Sequence, residues 1–261
     1  MALRLSDGLR SFLMDNGSFK QAFSGGKLHI YSGSQPATAN AAVTGTLLAT
    51  ITNASGAHTV EVASAGSVQL SAGASGSVDT VLFAGVDILG ASVAFDTSLN
   101  QTATNVAAQI NLNPKNYLVK ATVSTDTVTL TARPGIGALY NGVAITGAET
   151  TITVVDVNMG TAVTGINSAN GLDFEQDPTT GILEKLSTQT WTGVGLAAGT
   201  AGYFRLVGAK VDAGSLDSSE EFLRLDGNIA TSGANLNMSS TTVAVSAVQT
   251  ISTFTLTEPA S

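Results

Sequence analysis

Apolar side chains in this chain come in short bursts at two spacings. Over residues 3 to 14, Leu3, Leu5, Leu9, Phe12 and Leu13 recur near the 3.6-residue period, and Gly17 follows where a helix stops. The spacing predicts a helix there. A second helical turn is expected from Ser18 to Phe23, capped by Ser18 and closed by Gly25-Gly26. Phe12, Phe19 and Phe23 would fasten this pair of helices, residues 3–23, onto a sheet. Two roles stay open for it: a docking arm for a neighbouring subunit, or an ordinary packed N-terminal helix.

From Lys27 onward the period shortens to two. Lys27 to Tyr31 and Thr46 to Thr52 alternate as strands, separated by a turn-rich link that holds Pro36. Further strands are expected at Ser67 to Ser71 and Val78 to Phe83, with a tight turn at Ala84-Gly85 leading back through Val86 to Leu89. One more helix is expected over about residues 98–112. Thr97 or Ser98 caps it, Ala103, Val106, Ala107 and Ile110 form its buried stripe, and Pro114 marks its end. A hairpin then pairs Tyr117 to Ser124 with Asp126 to Ala132. After Gly171 the texture changes, with charges returning and Phe174, Trp191, Tyr203 and Phe204 appearing.

This pattern predicts a mainly β protein. Residues 1–55 and 166–261 form a discontinuous host domain, a β sandwich or barrel with short N-terminal helices. Residues 56–165 form an inserted α+β or β-sandwich module. Domain termini often lie close together, and loop tips accept such insertions.

Composition narrows the function. Charged residues make up 11% of the 261-residue chain, against roughly 25% in ordinary soluble domains. Thr, Val, Ala and 28 glycines take their place, which suits sheets and tight turns. The net charge of −8, with only 11 scattered basic residues, argues against nucleic acid or an anionic membrane as partner. Without cysteine there is no disulfide, thiolate nucleophile or Cys-ligated zinc. No secretory h-region follows Met1, and no apolar run is long enough to span a membrane, so synthesis in a cytoplasm is expected.

Candidate chemistry is thin. His29 and His58 are the only histidines, and neither has a partner at metal-binding spacing. Gly25-Gly-Lys27 ends like a phosphate loop, but Leu28 replaces the required Ser or Thr. Gly135-Ile-Gly-Ala-Leu-Tyr140 opens like a dinucleotide fingerprint, but Tyr140 stands where the third glycine belongs. Asp173, Glu175, Asp177 and Glu184 imitate part of a calcium loop, but Pro178 sits where that loop needs glycine. Asp217 to Glu221 reads as a helix start. The expectation is therefore no catalytic residue, no cofactor and no metal. Acid–base glycosidase chemistry stays open as a hydrolase reading, since 19 acidic residues can always supply a pair on paper.

Several segments carry a resemblance. Gly8-Leu-Arg-Ser-Phe-Leu13, Gly17-Ser-Phe-Lys-Gln-Ala22, Leu28-His-Ile-Tyr-Ser-Gly-Ser-Gln-Pro-Ala37 and Gly45-Thr-Leu-Leu-Ala-Thr-Ile51 resemble the opening of virion structural proteins of tailed bacteriophages. Thr190-Trp-Thr-Gly193, Gly199-Thr-Ala-Gly-Tyr-Phe-Arg205 and Asp226-Gly-Asn-Ile-Ala-Thr-Ser-Gly-Ala234 are similar to the same group. The middle module resembles insertions in phage head and tail proteins. The resemblance implies a non-enzymatic virion component in many copies, with the major capsid protein, other virion proteins and itself as partners. A decoration or head-fibre protein comes first, and a tail-tube, collar or adaptor subunit second. A carbohydrate-binding adhesin that meets host surface glycan is a third reading, with Trp191, Tyr203 or Tyr140 as stacking platforms. The expected interaction residues are Phe12, Phe19, Phe23, Trp191 and Tyr203.

Overall fold

The computed structural model describes residues 3–14, 17–177, 181–217 and 222–257. Among these the chain is mainly β, and its sheets are almost wholly antiparallel. It divides into two compact units, Met1–Glu61 with Ser168–Ser261, and Val62–Asn167. The sequence placed the change of unit at 56 and 165; the structure places it a few residues later at both crossings.

The first unit is built on a nine-stranded sheet. Its main path runs Arg4–Leu5, Arg224–Ala230, Gly199–Val207, Lys27–Ser32, Leu47–Asn53, Trp191–Val194, Val248–Ile251. Alternation divides its two faces. Leu28, Ile30, Phe204, Leu206 and Leu225 point into an apolar core, which also takes Leu9, Phe12 and Phe23 from the helices. A three-stranded sheet, Phe174–Asp177, Ile182–Lys185 and Thr255–Thr257, contributes Phe174, Leu183 and Leu256 to that core. Two sheets over one core make this half sandwich-like.

The N-terminal helix begins later than its apolar spacing suggests. Leu5 and Arg4 pair with Leu225 and Asp226 as an edge strand, and the helix spans Asp7–Met14. Ser6 explains the difference. Its Oγ accepts from the Leu9 N–H at 3.1 Å, closing the helix N-terminus, and donates to the Phe222 carbonyl at 2.8 Å. The short helix Phe19–Phe23 is capped by Ser18, whose Oγ accepts from Gln21. Residues 218–221 of the acidic run lie outside the described residues. Asp217 just before them is not helical and donates its N–H to the Asn40 carbonyl.

The second unit is an α+β module of two four-stranded sheets. One runs Ile145–Thr150, Ser77–Phe83, Val86–Asp87, with Val93–Ala94 also on Ser77–Phe83. The other runs Thr153–Val157, Ala65–Ala72, Thr127–Ala132, Val119–Ser124. Ala84 and Gly85 take φ of 51° and 80°, the positive values a type I′ turn needs, and so fix the Phe83–Val86 pairing. The helix Leu99–Leu112 starts at Ser98, whose side chain accepts from Gln101, and ends at Asn113. Its Ala103, Val106, Ala107 and Ile110 join Val68, Phe83, Val119 and Leu130 in one core. Asn111 ties the helix to the sheet by exchanging two hydrogen bonds, 2.8 and 2.9 Å, with the Ala121 backbone.

Candidate interaction surface

The face of the nine-stranded sheet opposite the apolar core is where titratable side chains gather. Pairing puts Arg205 between His29 and Asp226, and Tyr203 beside Tyr31. Arg205 holds Asp226 with two hydrogen bonds of 2.7 Å and reaches the Ala41 carbonyl at 3.1 Å. Arg224 grips Asp212 at 2.6 and 2.7 Å and donates to the Ser215 carbonyl at 2.8 Å. All four charged side chains are buried. Tyr203 stacks on Tyr31 at 5.1 Å, and its hydroxyl donates to the Thr44 carbonyl at 2.7 Å. Arg205, Tyr203 and Arg224 each fasten a long connection, residues 33–46 or 208–217, over the polar face. Buried charges need such partners, because an unpaired one is costly to desolvate.

Protonation follows from the same burial. His29 is pulled down from 6.5 to about 4, first by burial and then by the Lys27 charge, while its Nδ1 lies 3.0 Å from the Thr50 hydroxyl. His58 is also lowered, chiefly by burial, against the pull of a 2.9 Å hydrogen bond to the Gly25 carbonyl. Burial pushes the Tyr31 hydroxyl up to about 12. These groups are tuned by packing, and each is committed to a structural hydrogen bond or stack.

The residues expected to make contacts are located elsewhere than at a surface. Phe12, Phe23 and Trp191 are buried in the apolar core, Phe19 is half-buried against it, and Tyr203 is buried on the opposite face of the sheet. Trp191 is fully enclosed, with ring neighbours Phe174 at 5.2 Å and Phe254 at 5.6 Å, and its indole N–H donates to Gln189 Oε1. It has no free face for a sugar ring. Tyr140 is half-buried, edge-on to Phe83. The helical pair is core rather than a free arm. Aromatic residues between threonines and glycines alternate into whichever face is apolar, and here that face points inward.

The acidic stretch is likewise taken up internally. Asp173 accepts from the Ser24 hydroxyl at 2.6 Å, the Gly25 N–H and the Gln189 amide. Glu175 accepts from the N–H and hydroxyl of Ser187, both at 3.1 Å, and sits opposite Glu184 in the strand pairing. The Asp177 side chain lies outside the described residues. Among the described residues no three His, Cys, Asp or Glu side chains come together as a metal site.

One end of the nine-stranded sheet is uncharged and accessible. Residues 28–60, 186–204 and 227–257 contain no Asp, Glu, Lys or Arg. They supply Leu47–Asn53, Trp191–Val194 and the edge strand Val248–Ile251. Val194 and Val248 are paired across the last two strands and are 43% and 64% exposed. Leu196 and Val245 are 58% and 59% exposed, and the turn carrying Val245 is hydrogen-bonded to Gly195 on both sides. Thr250, Thr192 and Thr52 lie side by side across three strands. Gly193 permits this close approach, since a Cβ there would collide with the Thr50 carbonyl oxygen. The sequence signal for this surface is the long absence of charge.

No protein-family model, no curated protein and no solved structure matches this chain. Fold and surface together define a class: a two-unit, mainly β protein with a neutral sheet edge and two buried ion pairs, Arg205–Asp226 and Arg224–Asp212.

Proposed function

We propose that this chain is a non-enzymatic structural subunit of a tailed-phage virion, seated on the capsid lattice as a decoration or head-fibre protein. The observation that carries the reading is an uncharged sheet edge that bears exposed apolar side chains. The buried ion pairs Arg205–Asp226 and Arg224–Asp212 hold connections, while Val194, Leu196, Val245 and Val248 stand exposed on a neutral edge. Protein–protein interface cores are depleted in charge in the same way. The resemblance of the N- and C-terminal segments to phage virion proteins supplies the biological setting.

Such a subunit acts by mass action. Binding only to the assembled lattice stabilises that lattice, and repetition adds avidity. The major capsid protein is the partner this reading names. The test is to add purified chain to capsids that lack it and measure bound copies by sedimentation. Saturable binding in a fixed ratio to the capsid subunit supports the reading, and no binding to capsids of its own phage rejects it. A neck or tail position would appear as binding to tails or connectors in the same assay.

A further inference from the structure

We infer that the edge strand Val248–Ile251 is a self-association surface, where a second copy of this chain extends the nine-stranded sheet. The inference deepens the reading of a repetitive assembly and borrows its setting from it, but it stands on separate observations.

The first is an open edge. Among the described residues, Val248–Ile251 ends the sheet path and pairs on one side only, with Trp191–Val194. A strand in that position leaves main-chain N–H and C=O groups free on its outer side, a template for another strand. Proteins that stay monomeric usually blunt such an edge with a very short strand, Lys, Pro, a bulge or an inward charge, and of these devices this edge has only its shortness. This strand reads Val-Gln-Thr-Ile, and its pairing with Trp191–Val194 runs through four residues without a register shift.

The second is apolar surface beside the edge. Val248 at 64% and Val194 at 43% exposure share one face, with the exposed Thr250 next along the strand. Four residues give a neighbouring strand only a few hydrogen bonds, so the valines must supply much of the contact area. Apolar side chains beside an open edge add side-chain contact to the main-chain hydrogen bonds of an added strand.

The third is charge, and it selects the occupant. A copy of this chain carries −8, so two copies repel wherever their charged surfaces meet. At this end of the sheet the three contributing segments, residues 28–60, 186–204 and 227–257, hold no formal charge at all. Like-charged copies can therefore meet here without opposed carboxylates. The other end of the sheet differs, carrying Arg4, Arg224 and Asp226. A basic partner would find nothing to pair with at the neutral edge, whereas an identical neutral edge is complementary in both hydrogen bonding and polarity.

The experiment uses the full chain. Analytical ultracentrifugation should show oligomers that grow more populated as salt screens the repulsion between copies. Val248→Lys and Thr250→Lys, both exposed positions, should shift the distribution to monomer, while Leu216→Lys, at an exposed apolar position away from this edge, should leave it unchanged. If a lysine variant loses its circular-dichroism signal, a spin label on Thr250→Cys replaces it. That thiol is the only one in the variant. A strong dipolar coupling between labels is then expected, because adjacent strands lie about 4.8 Å apart. A wild-type chain that stays monomeric at every salt concentration overturns the inference, as do Lys variants that assemble normally or labels that show no coupling. Capsid binding by a chain that fails these tests would leave the proposed function standing; self-association without capsid binding would do the reverse.

Discussion

Arg205 and Asp226 face each other across neighbouring antiparallel strands, joined by two hydrogen bonds of 2.7 Å with neither side chain exposed. The guanidinium also reaches the Ala41 carbonyl, so the pair links the sheet to the 33–46 connection. Removing one partner strands a buried charge. Asp226→Ala should cost about 3–5 kcal/mol, and a double replacement by apolar residues of similar volume should cost much less. Urea denaturation followed by Trp191 fluorescence measures both; equal losses in the single and double variants would contradict this account.

Trp191 is expected to behave as a core residue. Trp191→Ala should lower stability by about 3–5 kcal/mol, through the cavity it leaves among Phe174, Phe204 and Phe254. A thermal melt reads the loss. A variant with the wild-type melting temperature and a lost glycan-array signal would return Trp191 to the surface and revive the adhesin reading.

His29 gives stability a dependence on pH. Its folded value near 4 lies below the ordinary 6.5, so the unfolded chain takes up the proton first. The stability from neutral His29 is complete above about pH 6.5, falls as pH drops toward 4, and then levels off. The slope in that window is at most about 1.4 kcal/mol per pH unit. His29→Gln should flatten the slope of unfolding free energy between these limits. His58, lowered in the same direction, adds a slope of the same sign that His58→Gln isolates. An unchanged profile in the His29 variant would show that its imidazole does not titrate on unfolding.

The second unit should be removable. Val62 and Ile166 exchange both backbone hydrogen bonds, each 2.9 Å, and Thr59 is bridged to Ala169 just outside them. The outgoing and returning strands therefore run side by side, and a short linker can replace residues 62–167. The shortened chain should keep a β-type circular-dichroism spectrum and a cooperative melt. A spectrum of unfolded chain would show that the first unit depends on the second.

Much of the fold is legible in the sequence wherever the signal is local. Ser98, the Ala103–Val106–Ala107–Ile110 spacing and Pro114 define the helix Leu99–Leu112. Alternation locates Lys27–Ser32, and Ala84-Gly85 defines its hairpin. What fails is non-local. Arg4–Leu5 is a strand only because Leu225 and Asp226, more than two hundred residues away, pair with it. The apolar spacing of Leu3, Leu5 and Leu9 suits a helix equally well, and the Ser6 cap decides between them. Burial of Trp191 and Tyr203 depends on which sheet face meets the small sheet and which meets the 33–46 connection, and neither is encoded within a few residues. Charges that look scattered along the chain, such as Arg205 and Asp226, become a buried pair only through strand register.

The central claim is that this chain works by surface complementarity within a repetitive particle. Cryo-electron microscopy of the purified particles, with copy number checked by quantitative mass spectrometry, tests it most directly. The account predicts density for both units at symmetry-related positions on the virion, in many copies per particle. Particles of normal composition that contain none of this chain would contradict it.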